Sequence, residues 1–581
     1  VITLTGDITT EDSAAAGDDG STAEDGAQSY AGAVVIHGAD LTLTTGGGGA
    51  SFSSTINSEA SAARGLTIAN TDGAVTVTGA IGAGSDGALG ALAIGTAEAG
   101  TNTGNITLSN SIGSDSAAGA ASISLGNEAT GVITLAGADY NSSGSQMFEA
   151  DDFDLYGALI TFTSANSGGS KTIDFLHAAA ITLDNTVQKL SISSGGAAVT
   201  IKPAITGTTG GANKSEDIDI DAGSGVLSLD FAGLAIDGDI GDVKLTGGTI
   251  NLNGGLRTTA TAFDASTTEI DINGAVVLEA NSTITSNGGN LDFNSTIKSD
   301  ATARNLTIST GSGTVGIGGN IGGTTSTDLA AIKINESAGS GAITLSGNIG
   351  TTSVFGATTI EIGNADTTSL SLDGSFYSSD DAQTYKADAY SLGGTDPDFA
   401  STGDNIIFHD GGTTTAFVLG NAADLEVNTN LGASAGGNIE FKDNITIKGI
   451  QNNAAQDVVL DAGTGTVTVK AIGTSTAEIN DVTMTGTGGI FLRGDITTMA
   501  HTVSSSEDTG DVTISSAAEI NAASVTIDTS DGTGGSVDFD STINSTTSNG
   551  ALTITSGGGA VAMDNVIGGN ENDHLDGLTI N

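Results

Sequence analysis

LDFNSTIKSDATARNLTISTGSGTVGIGGNIGGTTSTDLAAIKIN, from Leu291 to Asn335, is the stretch that decides the fold. Related copies occupy Ser51–Ile94 and Val537–Ile580, and phenylalanines near the three starts are 241 and 246 residues apart: Phe52, Phe293 and Phe539. Each copy consists of short runs in which apolar and polar residues alternate, separated by Gly, Ser, Asn and Asp. Such runs predict strands of about 3–5 residues between turns, and a fixed long period indicates a repeat array.

A second marker divides this period in two. Five short motifs, among them VITLTGD at Val1–Asp7 and GTINLNG at Gly248–Gly254, align on leucines 117 to 131 residues apart: Leu4, Leu135, Leu252, Leu372 and Leu492. The spacing predicts modules of ~120 residues that pair into a superrepeat of ~240. The predicted modules belong to one continuous solenoid and comprise residues 1–130, 131–247, 248–367, 368–487 and 488–581, the last being incomplete.

The DIDID run at Asp217–Asp221 shows how a single strand is patterned. Ile218 and Ile220 can face a core only if the aspartates between and beside them face water. Helical periodicity is missing from the sequence, and strands this short do not suit a flat antiparallel sheet. Coiling pairs each strand with its equivalent one coil away, at about 4.8 Å and ~20–25 residues per coil. The predicted fold class is therefore all-β, a parallel β-helix (β-solenoid).

The composition limits the partners of this chain. Its 68 Asp and Glu against 15 Lys and Arg give a net charge of −53. Nucleic acids and anionic membrane surfaces are poor partners for such a chain, because both require Lys and Arg to neutralise phosphate. Cysteine is absent, which excludes disulfides and thiolate metal sites. No run reaches the about 18 apolar residues of a membrane-spanning helix, so we do not expect this segment to insert into a membrane.

Two segments depart from the regular rhythm, Asp139–Phe162 and Ser375–Phe408. They are equivalent across the superrepeat and hold five of the six tyrosines. One interpretation is an exposed aromatic platform that contacts a ligand such as a sugar, or a neighbouring molecule. The other, which we favour, is that the aromatics bury themselves and hold a loop against the side of the solenoid. The residues concerned are Tyr140, Phe148, Phe153, Tyr377, Tyr385 and Tyr390.

Two groups of acidic residues are candidate calcium ligands. GGNENDHLDG, at Gly568–Gly577, is similar to the calcium-binding nonapeptide repeat, although Glu571 replaces one of its glycines. The ligands in that segment are Asn572, Asp573 and Asp576. A second candidate group is Asp217, Asp219 and Asp221, for which solvated outward carboxylates are the preferred interpretation. No cofactor is predicted to be required, and calcium is the candidate ion.

The runs AQSY at Ala27–Tyr30 and AQTY at Ala382–Tyr385 occur together with F-x-[ST]-T-I and I-G-G segments. In these features the chain resembles the Gly/Thr-rich repeats of filamentous-haemagglutinin-like giant surface proteins of Gram-negative bacteria. The resemblance covers essentially the whole chain, but it is one of repeat style and transfers no binding residue. It implies a right-handed parallel β-helix, export, an extracellular or cell-surface location, and a role in adhesion or in an extracellular matrix.

These observations lead to two principal functional hypotheses. The first is the shaft of a secreted adhesin, which contacts glycans or the surface of a host or neighbouring cell. The second is a structural filament, sheath or surface layer that self-associates end to end or laterally. A β-helix enzyme acting on polysaccharide is a minor alternative, because the few basic residues are scattered; the chain is predicted not to be an enzyme. Since the sequence begins and stops within repeats, we expect it to be part of a longer polypeptide.

Overall fold

The computed structural model of the chain is all-β, and its strands stack in parallel into a β-solenoid, which confirms the predicted fold class. It describes every residue except 11–25, 61, 71, 84–86, 97–103, 115–116, 165–170, 178, 185–186, 188, 209–215, 239, 260–268, 324–327, 413–414, 421–423, 432–434, 443, 451–455, 478, 500, 504–505, 509, 533, 546–549 and 569–573. Within the described ranges there is no helix of the length and apolarity needed to cross a membrane. The chain divides into two compact units, Val1–Asn287 and Gly288–Asn581.

In the first unit the strands stack into three ladders, one for each side of the coil. The first ladder contains Ile8–Thr10, Leu41–Thr45, Leu66–Asn70, Leu89–Ile94, Ala120–Gly126, Gln146–Glu149, Ile173–Leu176 and Val199–Ile201. The second contains Gln28–Tyr30, Ala50–Phe52, Val75–Val77, Ile106–Leu108, Val132–Leu135, Asp152–Leu155, Ala180–Leu183, Ala204–Gly207 and Ser282–Thr285. The third contains Ile2–Leu4, Val34–Ile36, Ile56–Ser58, Asp139–Ser142, Leu159–Ser164, Lys189–Ser193 and Glu216–Asp221. Three longer strands each continue more than one ladder: Val226–Asp237, Ile240–Arg257 and Glu269–Leu278.

The second unit has the same three-sided arrangement. Its first ladder contains Asn305–Ser309, Leu329–Ile334, Ala357–Ile362, Gln383–Ala387, Ile406–Asp410, Ile439–Phe441, Thr466–Val469, Gly489–Leu492, Ala518–Ile520 and Ile543–Ser545. The second contains Asn290–Phe293, Val315–Ile317, Ile343–Leu345, Leu370–Leu372, Ala389–Leu392, Thr415–Leu419, Ile445–Lys448, Ala471–Ile472, Ile496–Met499, Ser524–Asp531, Ala551–Thr555 and Gly577–Ile580. The third contains Ile297–Ser299, Phe376–Ser379, Asp398–Ser401, Leu425–Asn428, Val458–Asp461, Val482–Thr485, Val512–Ile514, Val537–Phe539 and Val561–Met563. An antiparallel hairpin of His501–Val503 and Ser506–Asp508 lies outside the ladders.

The coils are longer and more variable than the ~20–25 residues expected from the sequence. Leu370 pairs with Tyr390, 20 residues later, whereas Ile406 pairs with Ile439, 33 residues later. The strands remain short in both cases, so the turns between ladders take up the difference. Some turns are fixed by close backbone contact: a Cβ at Gly363, where φ is 81°, would lie 2.0 Å from the carbonyl oxygen of Lys386. A side chain cannot be accommodated there, so this corner requires glycine.

The alternation read from the sequence describes the core correctly. Ile218 and Ile220 are buried, and the aspartates of the same strand lie on its outer, half-buried side. In the strand Asn305–Ser309, Leu306 and Ile308 are likewise buried, whereas Thr307 faces outward. Each ladder therefore contributes one apolar face to an interior shared by the three sides of the coil. The apolar residues of neighbouring coils stack on one another along that interior.

The superrepeat is visible as a repeated ladder contact. In the first unit, four residues on the third side pair in succession: Ile56, Ile81, Ile112 and Tyr140. In the second unit, four residues of the same types pair in the same order: Ile297, Ile321, Ile349 and Tyr377. Equivalent positions of the superrepeat thus have the same role in each unit. The boundaries of the ~120-residue modules stay a prediction.

Candidate functional site

The six aromatic residues considered as ligand contacts lie inside the solenoid. Each has at most 2% of its surface exposed: Tyr140, Phe148, Phe153, Tyr377, Tyr385 and Tyr390. They belong to ordinary ladder strands and point inward, so the two segments are neither exposed platforms nor loops held against the side. The reason is geometric, because a ring is wide enough to fill the centre of a coil and stacks on the ring of the next coil. None of the six is available to a ligand at the surface.

These rings form stacks along the interior of each unit. In the first unit, the Tyr140 ring stacks on Phe162 with centroids 5.0 Å apart. In the second unit, Phe408 stacks on Tyr385 at 5.2 Å and on Phe441 at 4.7 Å. Offset stacking of buried rings adds about 0.5–1.5 kcal/mol per pair to the contribution of the buried area. The aromatic segments therefore stabilise the core.

The glutamine of the A-Q-[ST]-Y run has a structural role in the interior. The Gln383 side chain is buried and donates from Nε2 to the carbonyl oxygens of Tyr377 at 2.9 Å and Ala400 at 2.7 Å. Its Oε1 accepts a hydrogen bond of 2.9 Å from the Tyr385 hydroxyl. Burial raises the pKa of Tyr385, so the hydroxyl stays protonated and donates. The amide thus ties two coils together, with all of its polar atoms satisfied.

The equivalent glutamine in the first unit lacks this last hydrogen bond. Gln146 is buried and donates to the carbonyl oxygens of Tyr140 and Thr163, both at 2.8 Å. The residue two positions later is Phe148, which has no hydroxyl, and Gln146 Oε1 is buried without a hydrogen-bond partner. An unsatisfied buried acceptor costs about 1–3 kcal/mol. The two units therefore contain a satisfied and an unsatisfied version of one corner.

We expect Tyr385→Phe to lower the free energy of unfolding of the second unit by about 1–2 kcal/mol, because it leaves Gln383 Oε1 without its donor. Phe148→Tyr should give the opposite sign, by up to about 1 kcal/mol, because the added hydroxyl reaches the unpaired Oε1 of Gln146. Hydrogen exchange of the amides in each corner measures both effects locally. Changes of the same sign in the two variants would contradict this assignment.

The calcium candidates are not brought together as an ion site. Asn572 and Asp573 lie outside the described residues, and Asp576 is exposed, with its backbone N–H donating to the carbonyl of Gly550. In the second group, Asp219 pairs with Lys189 at 3.2 Å and Asp221 accepts a hydrogen bond from the backbone N–H of Gly223 at 2.6 Å. Asp217 accepts from the backbone N–H of Asp242 at 3.3 Å. Over the described ranges, no three His, Cys, Asp or Glu residues are arranged to hold a metal ion.

A column of five aspartates joins successive coils of the second unit. The residues precede strands of the third ladder: Asp396, Asp424, Asp457, Asp481 and Asp511. Each carboxylate accepts a hydrogen bond from the backbone N–H one coil further on, for example Asp424 from Asp457 at 2.9 Å and Asp481 from Asp511 at 2.6 Å. Asp511 ends the column by accepting from Ser536 at 2.7 Å. The column fixes the register of neighbouring coils, at the cost of stacking like charges.

Asp398 adds to this charge from the neighbouring outward position. It pairs in the ladder with Glu426, and its buried Oδ1 has no hydrogen-bond partner. Burial, and secondarily the negative charge of Glu426, raises the pKa of Asp398 to about 6. Because this value lies above the ordinary 3.8 of an unfolded chain, the ionised carboxylate destabilises the fold. The penalty is complete above pH 6 and disappears as the pH falls from about 6 to about 4.

Asp398→Asn should therefore raise the free energy of unfolding of the second unit at pH 7 by about 1–2 kcal/mol. At pH 4 the variant and the parent should have nearly equal stability, since the parent carboxyl is then largely protonated in both states. Urea unfolding at a series of pH values measures the difference. Asp366→Asn, at an exposed position, is the matched control and should leave the pH dependence unchanged. A pH-independent effect of Asp398→Asn would contradict the explanation.

Tyr156 differs from the other tyrosines because its ring is 38% exposed. It follows the strand Asp152–Leu155, in which Phe153 and Leu155 are buried. The alternation of that strand places Tyr156 on the outer face, and Asp154 lies on the same face. The sequence contained this signal, since Tyr156 is three residues from Phe153 and so has the opposite parity. Grouping the aromatics by segment obscured it.

Outward residues of three consecutive coils surround this ring. The ladder places Thr134, Asp154 and Thr182 in one column. The neighbouring column follows Leu135, Leu155 and Leu183 and consists of Ala136, Tyr156 and Asp184. Backbone hydrogen bonds from Tyr156 to Leu135 at 2.9 Å and from Asp184 to Leu155 at 3.0 Å fix the second column.

We compared the chain with protein-family models, curated proteins and solved structures, and none of them matches it.

Proposed function

We propose that this chain is the shaft of a secreted or cell-surface bacterial adhesin, in which stacked coils carry a binding region away from the cell. The principal support is the continuity of the ladders within each unit, where strand follows strand and the interior is filled by stacked apolar residues. A solenoid of this kind gains length by adding coils, and each coil needs only its neighbours for stability.

The chemistry of the outer surface also supports a location outside the cell. The net charge of −53 is carried on outward positions such as the column that begins at Asp396, so the surface is strongly solvated. Like charges on separate molecules repel one another, which favours single shafts over bundles at low salt. The resemblance to filamentous-haemagglutinin-like proteins leads to the same proposal. That the chain is not an enzyme and needs no cofactor stays a prediction.

An antibody raised against the purified chain tests the proposed location. It should label intact, unpermeabilised source cells or appear bound to protein in the culture medium. Deletion of the gene should then reduce attachment of the cells to host cells or to neighbouring cells. Labelling only after permeabilisation would overturn the proposal. Normal attachment of the deletion strain, together with loss of a visible surface layer or sheath, would favour the structural filament instead.

A further inference from the structure

We propose that Tyr156, together with Asp154 and Asp184, forms a shallow binding site for an amino sugar, a pyranose that carries a free ammonium group. The inference rests on the proposed function and deepens it, because it names a contact residue and a ligand class for the side of the shaft. It concerns a single place in the first unit and needs no other part of the chain.

The site has the dimensions of one sugar ring. Neighbouring ladder positions are about 4.8 Å apart, and alternate residues of one strand are about 7 Å apart. The six outward positions around Tyr156 therefore cover an area about 10 Å by 7 Å. Ala136, which precedes Tyr156 in its column, is small and exposed, so it does not cover the ring. Gly157 follows with φ of 127° and turns the chain away.

Each part of the site matches one part of an amino sugar. The exposed face of Tyr156 offers a rigid apolar surface on which the C–H face of a pyranose can pack. Tyrosine gives such contact at a low cost in conformational entropy. The carboxylates of Asp154 and Asp184 attract an ammonium group and accept hydrogen bonds from sugar hydroxyls. Thr134 and Thr182 flank Asp154 and supply further hydroxyl partners.

The charge of the site favours a cationic ligand over a neutral or anionic one. None of the six positions carries a basic residue. Burial, and then the charges of Asp152 and Asp184, raises the pKa of Asp154, so its ionised form is not fully compensated. The negative charge of Asp154, followed by burial and by Asp184, raises the pKa of Tyr156. A bound ammonium group would relieve this repulsion, whereas a uronic acid would increase it.

The equivalent place in the second unit lacks these features and serves as an internal comparison. There the ladder of Leu370–Leu372, Ala389–Leu392 and Thr415–Leu419 places Ser391 where Asp154 lies and Gly393 where Tyr156 lies. A Cβ at Gly393 would lie 2.4 Å from Oδ1 of Asp373, so no ring fits that position without rearrangement. The site therefore belongs to the first unit alone.

Saturation-transfer NMR with the whole chain tests the proposal. The probes are methyl glucosaminide, its N-acetylated form and methyl glucuronide, which differ in charge on a common ring. We expect transfer to the C–H protons of the glucosaminide, with an affinity in the millimolar range typical of a shallow site with few contacts. The N-acetylated sugar should bind at least about threefold more weakly, and the glucuronide should not bind. Because the chain has no tryptophan, a change in tyrosine fluorescence gives a second readout.

Three variants separate the site from nonspecific attraction to an acidic surface. Tyr156→Ala should reduce glucosaminide binding by about tenfold, and Asp154→Asn should remove the preference over the N-acetylated sugar. Val459→Ala, at an exposed apolar position of the second unit, is the matched control and should bind as the parent does. All three positions face outward, so circular dichroism should show unchanged folding.

Equal binding of the glucosaminide by the parent and Tyr156→Ala would overturn the proposal, as would equal binding of all three sugars. Trilysine is a further probe. If it binds in a Tyr156-dependent way while the glucosaminide does not, the site recognises a basic peptide and the assignment to a sugar is wrong. Failure of this inference leaves the antibody test of the proposed location unaffected, so the two are judged separately.

Discussion

Ile308→Asp is expected to lower the free energy of unfolding of the second unit by about 4 kcal/mol or more. Ile308 is 1% exposed and pairs in the ladder with Ile334, so the new carboxylate would lie among stacked apolar side chains. A charge buried without a partner is among the most costly single changes in a protein. Unfolding by urea, followed by circular dichroism, measures the loss.

The neighbouring residue provides the control. Thr307 faces outward on the same strand and pairs in the ladder with Lys333. Thr307→Asp should change stability by less than about 0.5 kcal/mol, since the carboxylate is solvated and lies beside a cation. Similar losses in the two variants would show that the inward and outward positions of the strand have been misassigned.

Phe408→Ala is the second change expected to have a large effect, a loss of about 3–5 kcal/mol. Phe408 is fully buried, and its ring meets those of several neighbours at 4.7 to 6.1 Å: Tyr385, Tyr390, Phe399, Phe417 and Phe441. Its removal leaves a cavity that spans more than one coil. Hydrogen exchange should show that protection is lost first in the strands Gln383–Ala387 and Ile439–Phe441.

Tyr156→Ala removes an aromatic ring of similar size from the outer face of a strand. Since its ring is already 38% exposed, the loss should stay below about 1 kcal/mol. A loss from Phe408→Ala no larger than that from Tyr156→Ala would contradict the description of the aromatic stack as part of the core.

The alternation in runs such as DIDID was sufficient to predict the class of fold, because a period of two fixes which side chains share a face. It could not predict coil length, since turns of different size leave the strand pattern unchanged. The segment Ser375–Phe408 therefore looked irregular, although its strands are regular ladder members. The step from Leu370 to Tyr390 is short, and this altered the spacing that the sequence comparison relied on.

The candidate site was less predictable than the fold. The exposure of Tyr156 follows from strand parity, but its neighbours Thr134 and Asp184 are set by ladder register, which depends on the length of each coil. The role of Gln383 was also hidden, because the run that contains it gave no sign of which coil its amide reaches. Local patterns determine which way a side chain points, whereas its partners depend on the turns between strands.

The sequence repeat and the coil are not in step. Phe293 and Phe539 occupy the same place in two copies of the repeat, but Phe293 lies in the second ladder and Phe539 in the third. A strand of this sequence is thus accepted on more than one side of the coil. It follows that such a gene can lengthen by duplicating segments whose ends fall anywhere in a turn, without a requirement for whole coils. Selection against insertions should instead be strongest within strands, where one added residue inverts every side chain that follows.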